Sequence, residues 1–102
     1  MVHADVFAAL GDETRLGLIA RLSEGGPASI ARLSEGTGMT RQAVTKHLNV
    51  LRHARLARHR RQGRETLWDV APEGFEAARA FIDLVSRQWD ARLETLRQFV
   101  ED

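Results

Sequence analysis

Residues 40–64, TRQAVTKHLNVLRHARLARHRRQGR, carry the pattern that decides the fold. The slightly longer stretch 36–64 contains eight of the fifteen Lys and Arg residues and three histidines, but no Asp or Glu. The other residues hold seven basic and fourteen acidic side chains. The net charge of +1 is therefore the sum of +8 on residues 36–64 and −7 on the rest of the chain. A basic segment of this size favours a polyanionic partner over a solvated surface without a partner.

A helix-turn-helix is indicated by the residues around Thr40. Ser29 is placed to cap a short helix over 30–35, and the two glycines that follow can adopt the positive φ of a tight turn. Met39 supplies an apolar residue for the core, and the Thr40 hydroxyl can cap the next helix, 40–53. This order of helix, glycine turn and capped amphipathic helix predicts a helix-turn-helix.

The helix predicted over 40–53 has an apolar and a polar face. Val44, Leu48 and Leu51 recur at i, i+4 and i+7 and can anchor the helix to the core. The polar face has no carboxylate and offers side chains that suit base edges and phosphates: Arg41, Gln42, Thr45, Lys46, Asn49 and Arg52. We predict a recognition helix whose N-terminal half enters the major groove, with Thr40 and Arg52 on the DNA backbone. His47 belongs either at the edge of the core or on a phosphate.

Residues 56–70 predict a β-hairpin, the wing of a winged helix. Thr66, Trp68 and Val70 alternate along the second strand, so one side can pack on the helices, with Trp68 in the core. We place the two-residue turn at Gln62-Gly63, because such turns favour glycine at positive φ. The tip carries Arg60, Arg61, Gln62 and Arg64. We expect this tip against the sugar-phosphate backbone or the minor groove.

Two helices are predicted before this region. The first, over 3–10, carries the apolar residues Val6, Phe7 and Leu10. Asp12 is placed to cap the second, which ends at the segment 25–27. The apolar face predicted for the second helix consists of Leu16, Ile19, Ala20 and Leu22.

A final helix is predicted over 73–100, with Pro72 in its first turn. If continuous, it would be about 42 Å long, whereas a domain of this size has a radius of gyration of about 13 Å. Because one protomer cannot cover its apolar stripe, we predict a homodimer that packs terminal helices together. The predicted interface is Val6, Phe7, Phe81, Val85, Trp89, Leu93 and Leu96. The alternative is a monomer whose last helix breaks near Arg87 or Gln88 and folds back.

Composition excludes several classes of protein. With 102 residues and 43% hydrophobic content, the chain is expected to form one domain, 1–102. It has no cysteine for a disulfide or a thiolate metal site, and no apolar run of the length that spans a membrane. No motif of an enzyme or of a cofactor site occurs. We therefore expect a cytoplasmic protein that is not an enzyme and has no cofactor or membrane partner.

Four blocks of the chain resemble, in order and spacing, the winged-helix repressors of the ArsR type. These blocks are VFAALGDETRLGLIARL, ARLSEGTGMTRQAVTKHLNVLRHARLA, RRQGRETLWDV and WDARLETL. The resemblance covers nearly the whole chain and is most specific over residues 39–57. It implies a mainly α winged helix-turn-helix with a small β-hairpin, in the order α-α-α-α-β-β-α. It also implies a homodimeric regulator, usually a repressor, that leaves its operator when an effector binds.

The chain departs from this family in two respects. Family members hold metals through cysteines in the third helix or through His and carboxylate pairs on the last helix. Here the third helix has no thiol and the last helix no histidine, so we expect no metal site. Arg55 stands where the family commonly has the glycine that ends the recognition helix.

The sequence therefore predicts a regulator that binds double-stranded DNA, most simply as a homodimeric repressor on an inverted-repeat operator. A winged-helix module that turns its basic face toward an acidic protein partner is the alternative. The operator and the effector are not predicted, although the terminal helices could hold a ligand near Trp89.

Overall fold

Five helices and one hairpin follow each other in the predicted order, and the fold is a winged helix-turn-helix. The computed structural model describes residues 4–101, so the predicted start of the first helix at His3 lies outside the described residues. The helices are α1 (Ala4–Leu10), α2 (Glu13–Gly25), α3 (Ile30–Ser34), α4 (Arg41–His53) and α5 (Pro72–Glu101). The strands are β1 (Ala57–Gln62) and β2 (Glu65–Val70).

The start of α2 is confirmed, and its predicted apolar face is right at Ile19 and Leu22 but wrong at Leu16 and Ala20. The Asp12 carboxylate accepts a hydrogen bond of 3.0 Å from the Arg15 backbone N–H and so caps the helix. Leu18 is buried beside Ile19 and Leu22, whereas Leu16 is 50% exposed. Ala20 is exposed as well. Residues that are two positions apart in a helix point in directions that differ by about 200° around its axis, so Leu16 and Leu18 cannot share a face.

Helix α3 is held in place by caps at both ends. The Ser29 hydroxyl accepts from the Arg32 N–H at 3.2 Å, which confirms the predicted N-cap. At the other end Arg21 of α2 donates to three carbonyl oxygens: Arg32 at 2.9 Å, Leu33 at 2.6 Å and Glu35 at 3.2 Å. The Arg32 carbonyl also accepts from the Glu35 N–H at 3.2 Å. By donating to all three carbonyls at the end of α3, Arg21 ties α3 to α2.

The turn between α3 and α4 has the predicted chemistry. Gly36 and Gly38 adopt φ values of 76° and 71°, in the left-handed region that favours glycine. The Thr40 hydroxyl accepts from the Ala43 N–H at 3.0 Å and caps α4. The apolar face of α4 then enters the centre of the core. The side chains without exposed surface are Val44, Leu48, Leu51 and Leu56.

Helix α4 ends in a Schellman motif with an arginine at the left-handed position. Arg55 has φ 61°, its N–H donates to the Arg52 carbonyl at 3.0 Å, and the Leu56 N–H donates to the Leu51 carbonyl at 2.9 Å. Arg55 also accepts a 2.7 Å bond from the Gly74 N–H, which fixes the start of α5. A Cβ at Gly74 would lie 2.6 Å from this carbonyl oxygen, so only glycine permits the approach.

The hairpin turn lies one residue later than predicted. Gln62 pairs with Glu65, so the two-residue turn is Gly63-Arg64, and Gly63 has φ 63°. The sequence analysis placed Gly63 as the second residue of the turn, whereas the pairing of the strands makes it the first. Trp68 is buried as predicted. It also exchanges two backbone hydrogen bonds with Ala28, at 2.8 and 2.9 Å, which joins the hairpin to the segment before α3.

Helix α5 is a single helix of 30 residues, without the alternative break near Arg87 or Gln88. Its first turns pack on the core through Gly74 and Ala78, but every residue from 79 to 101 is exposed. The principal extents of the protein are 68 × 25 × 21 Å because α5 projects from the body. Within residues 4–101, none of the helices has the length and apolarity needed to cross a bilayer.

Replacing Arg55 with glycine is expected to stabilise the protein. Glycine adopts positive φ without the steric cost borne by a residue with a Cβ, so Arg55→Gly should raise the free energy of unfolding by about 1 kcal/mol. Thermal and urea denaturation measure this change. Arg55→Ala is the matched control, because it removes the charge and keeps the unfavourable φ. Equal stabilisation by both variants would show that charge repulsion, and not backbone strain, is relieved.

Candidate nucleic-acid interface

The outer surface of α4 is polar, basic and free of carboxylates. Among the residues predicted to contact DNA, Thr40, Arg41, Gln42, Lys46 and Arg52 are exposed, and Thr45, His47 and Asn49 are half-buried. Since Val44, Leu48 and Leu51 are buried on the opposite face, the exposed side chains point away from the core together. This face of α4 is available to a partner along its whole length.

Local hydrogen bonds limit what two threonines can offer. The Thr40 side-chain oxygen accepts a hydrogen bond that caps α4. At this position a partner can therefore contact the start of the helix, where backbone N–H groups face outward. The Thr45 hydroxyl donates to the Arg41 carbonyl at 2.8 Å. Its hydrogen is therefore engaged, while its oxygen lone pairs and methyl group remain free to contact a phosphate or a thymine methyl.

His47 lies at the edge of the core, against α2. Its Nδ1 is 3.3 Å from Arg15 Nη1 and 3.9 Å from Asp12 Oδ2, and its side chain is only 24% exposed. The edge of the core is one of the two positions considered for His47. The other histidine of α4, His53, bonds its own helix through the Asn49 carbonyl at 2.8 Å.

The wing consists of residues 57–70, and its tip is strongly cationic. Arg60, Arg61, Gln62 and Arg64 are all exposed. Arg61 Nε donates to the Gly63 carbonyl at 3.4 Å, which holds one guanidinium close to the turn. In the part of the chain that the structure describes, Arg97 forms an ion pair with Glu94, and His47 lies 3.9 Å from Asp12, with which it pairs as a charge only when it is protonated. The arginines of the wing and the Arg and Lys residues of α4 therefore carry charge without an intramolecular counterion.

Two residues near this surface were not singled out by the sequence analysis. Arg58 is exposed on the outer face of the wing, opposite Asp69 in the strand register, and extends the basic surface toward Pro27. Arg15 contacts His47 and donates to the Ala9 carbonyl at 2.7 Å and the Ala8 carbonyl at 3.3 Å. Alternation along the hairpin could have found Arg58. No pattern identifies Arg15, because its backbone partners carry no sequence signal.

The predicted dimer surface divides into a buried and an exposed part. Val6 is 3% exposed and packs in the core of its own protomer, so it has no surface left for a partner and its assignment is corrected. Phe7 is half-buried and packs edge-on against Phe81 with ring centroids 5.5 Å apart. Phe81, Val85, Trp89, Leu93 and Leu96 are 40–55% exposed along one stripe of α5. The apolar periodicity of the last helix also includes Ile82 and Val100, and these two residues extend the stripe together with Phe99, which was not predicted.

The donor set offers little to a metal ion. The chain has no cysteine. Over residues 4–101, no group of three or more His, Asp or Glu side chains is placed to hold a metal. A thiolate site of the kind found in metal-binding ArsR proteins does not fit these residues.

Comparison with known proteins supports the fold. A family model described as a helix-turn-helix domain matches residues 10–60. The chain is 33% identical over 93 residues to the HTH-type transcriptional regulator Rv2034 of Mycobacterium tuberculosis, covering 91% of this chain and 83% of the relative. It is 29% identical over 102 residues to the arsenical resistance operon repressor of Escherichia coli, covering 100% of this chain and 85% of that protein.

Solved structures agree with these relatives. An ArsR-like transcriptional regulator from Rhodococcus sp. RHA1 superposes with a TM-score of 0.82 at 31% identity, covering 95% of this chain and 91% of the other. A homodimeric winged helix-turn-helix DNA-binding domain from Mycobacterium bovis, described as a possible ArsR-family regulator, gives a TM-score of 0.66 at 25% identity. That match covers 83% of this chain and 78% of the other.

The fold and the basic surface thus define a DNA-binding winged helix-turn-helix protein. Within that class, the chain belongs to the ArsR family of transcriptional regulators, as the resemblance of its sequence implied.

The cap at Asp12 is expected to make stability depend on pH. The hydrogen bond from the Arg15 N–H, with smaller effects of the Arg15 and His47 charges, lowers the pKa of Asp12 below 3.8, although partial burial opposes this shift. The stabilisation is therefore present above the ordinary pKa and lost as pH falls through the lower pKa of the folded state. Asp12→Ala should lower Tm at about pH 7, and the difference from wild type should narrow at about pH 3.

Asp12→Asn is the control for this measurement. Its amide oxygen can still cap α2 but does not titrate, so its Tm difference from Asp12→Ala should not narrow in acid. A difference between wild type and Asp12→Ala that stays constant down to low pH would contradict the assigned role of the carboxylate.

Proposed function

We propose that the protein is a homodimeric repressor that binds an inverted-repeat operator, with α4 of each protomer in the major groove and each wing on the DNA backbone. The observation that carries this proposal is the exposed basic surface formed by α4, which has no carboxylate, and the arginines of the wing tip. A homodimer with two such surfaces matches the two-fold symmetry of a palindromic site, with half-sites about one helical turn apart.

Base reading is assigned to the first two turns of α4. Arg41 and Lys46 can donate to the O6 and N7 atoms of guanine, and Gln42 can pair with adenine. Thr45 presents its methyl group and lone pairs, and Asn49 reaches a base only if the helix lies deep in the groove. Because the buried face fixes the rotation of α4, these side chains point outward together.

Backbone contacts are assigned to the flanks. Thr40 places the positive end of the α4 dipole against a phosphate, and Arg52 lies near the other end of the helix. The wing adds Arg60, Arg61, Gln62 and Arg64. Arg58 belongs to the same basic surface. These contacts set the register of the protein on DNA and supply most of the salt-dependent affinity.

The homodimer is assigned to the apolar stripe of α5. This stripe continues the face that packs on the core, and Phe7 packs against its first large residue, Phe81. Every described residue of α5 after Ala78 is exposed. Large exposed apolar patches mark interaction sites, and a second copy of the same helix is the partner that two-fold symmetry requires. The related domain from Mycobacterium bovis is described as homodimeric, which supports this assembly.

The assignment as a repressor has a simpler basis. A dimer bound to promoter DNA can exclude polymerase by occupancy alone and needs no further contact surface. The name of the Escherichia coli relative as an operon repressor agrees with this role. A chromosomal operator also places the protein in the cytoplasm and gives it no catalytic step.

Loss of the base-reading side chains is expected to abolish sequence preference. Purified protein should enrich a defined inverted repeat from a random duplex library, whereas Arg41→Ala with Lys46→Ala should bind that duplex about as weakly as random DNA. Each good base contact contributes about 1–3 kcal/mol of discrimination. Fluorescence anisotropy measures both affinities. Arg79→Ala with Arg87→Ala removes the same charge from exposed positions of α5 and should retain the preference.

The salt dependence separates DNA from a protein partner. If the dimer neutralises six to ten phosphates, its affinity should fall about 10³- to 10⁵-fold between 50 and 200 mM salt. A flat slope with no enriched sequence would refute the proposed function and favour the alternative of an acidic protein partner.

Introducing a charge into the stripe of α5 is expected to separate the protomers. Trp89→Glu places a carboxylate at the centre of the apolar surface, so the protein should sediment as a monomer and bind its operator more weakly. Gln88→Glu adds the same charge at the neighbouring exposed position and serves as the control that should remain a dimer. Trp89→Glu protein that sediments as a dimer would contradict the assigned interface.

A further inference from the structure

Arg15 connects three helices through one guanidinium group. Its Nε donates to the Ala9 carbonyl at 2.7 Å and its Nη2 to the Ala8 carbonyl at 3.3 Å. Both carbonyls belong to the last turn of α1, where backbone acceptors lack partners within the helix. The side chain starts from the first turn of α2, so Arg15 closes the corner between α1 and α2. Its remaining nitrogen, Nη1, reaches His47 of α4.

The contact with His47 determines which ring nitrogen carries hydrogen. A guanidinium has only donors and stays protonated in proteins, so His47 Nδ1, 3.3 Å from Arg15 Nη1, has to be the acceptor. Neutral His47 therefore carries its hydrogen on Nε2. This contact is a polar link between α4 and the end of α1, in addition to the apolar contacts of the core.

We propose that Arg15 is a positioning residue for DNA binding: it holds neutral His47 against the corner of α1 and α2, and operator affinity decreases when His47 is protonated. The proposal rests on the proposed function, in which α4 lies in the major groove. It assigns to His47 a role through α4 and not a direct contact with phosphate.

Protonation of His47 would break the link to Arg15. A hydrogen on Nδ1 removes the acceptor and sets two cations 3.3 Å apart. Asp12 Oδ2, 3.9 Å from the same Nδ1, offers an alternative partner for the imidazolium. The ring would therefore turn from Arg15 toward Asp12, which changes how α4 is held. The other titratable groups beside Arg15 are Asp5 of α1 and His53 of α4, which line the same surface cavity.

The sign of the pH effect distinguishes this role from a phosphate contact. A histidine on a phosphate gains charge as pH falls and strengthens binding to DNA. A histidine that positions α4 through its neutral form weakens binding under the same conditions. The exposed histidines His53 and His59 can add only the first effect, so the comparison has to isolate His47.

The test measures anisotropy of the labelled duplex enriched by wild-type protein, at constant ionic strength, at about pH 8 and about pH 5.5. His47→Gln keeps an acceptor for Arg15 but does not titrate. The affinity of wild type relative to His47→Gln should fall about three- to tenfold on acidification, the range expected for the net contribution of one ordinary hydrogen bond. His53→Gln, on the same helix, is the matched control and should show the wild-type decrease.

A second measurement tests the contact without DNA. Two-bond ¹H–¹⁵N correlation spectra of the imidazoles should show the Nε2–H tautomer for His47 in wild type and a mixture of tautomers in Arg15→Lys, which keeps the charge but not the planar fork. An unchanged or rising affinity ratio on acidification, or an Nδ1–H tautomer in wild type, would overturn the proposal. If wild-type protein enriches no duplex, the proposed function and the predicted change in DNA affinity are both refuted. The tautomer of His47 measured by NMR still tests the hydrogen bond between Arg15 and His47.

Discussion

Val44, Leu48 and Leu51 have no exposed surface, and the rest of the structure depends on their burial. Each such side chain contributes about 1.5–3 kcal/mol when it is fully buried. This free energy of burial exceeds the contribution that the exposed polar residues of α4 can make to folding stability through local or water-mediated contacts. Burial of these residues fixes the rotation of α4 about its axis. The polar face is consequently presented outward as a rigid surface, with little conformational entropy left to lose when it binds a partner.

Short helices surround α4, and their ends are stabilised by side chains that bond backbone groups. Asp12, Ser29 and Thr40 cap the starts of α2, α3 and α4. Arg15 and Arg21 bond the last carbonyls of α1 and α3. Helices of this length are marginal in isolation, so these contacts and the shared core are what make them persist. Because Arg15 also contacts His47, the network that stabilises the short helices extends to α4, the helix that we propose reads DNA.

Basic surface and exposed apolar surface lie on different elements of the protein. The basic surface of α4 and the wing lacks counterions, while α5 carries an apolar stripe without a cover. Either feature alone would have several explanations. Together they fit a regulator of the ArsR family that is completed by a second copy and by DNA. The family's thiolate chemistry has no counterpart, since the chain has no cysteine.

The sequence alone determined the order of the elements, the caps at Asp12, Ser29 and Thr40, the inward face of α4 and the basic character of its outward face, because periodicity and capping are local properties. Tertiary structure decided the rest. Leu18 and not Leu16 enters the core, the wing turns at Gly63-Arg64, and Val6 is buried within one protomer, since each depends on packing or register between distant segments. His47 remained ambiguous for the same reason. Its neighbours Asp12 and Arg15 lie more than thirty residues away along the chain and become its neighbours only when α2 packs on α4.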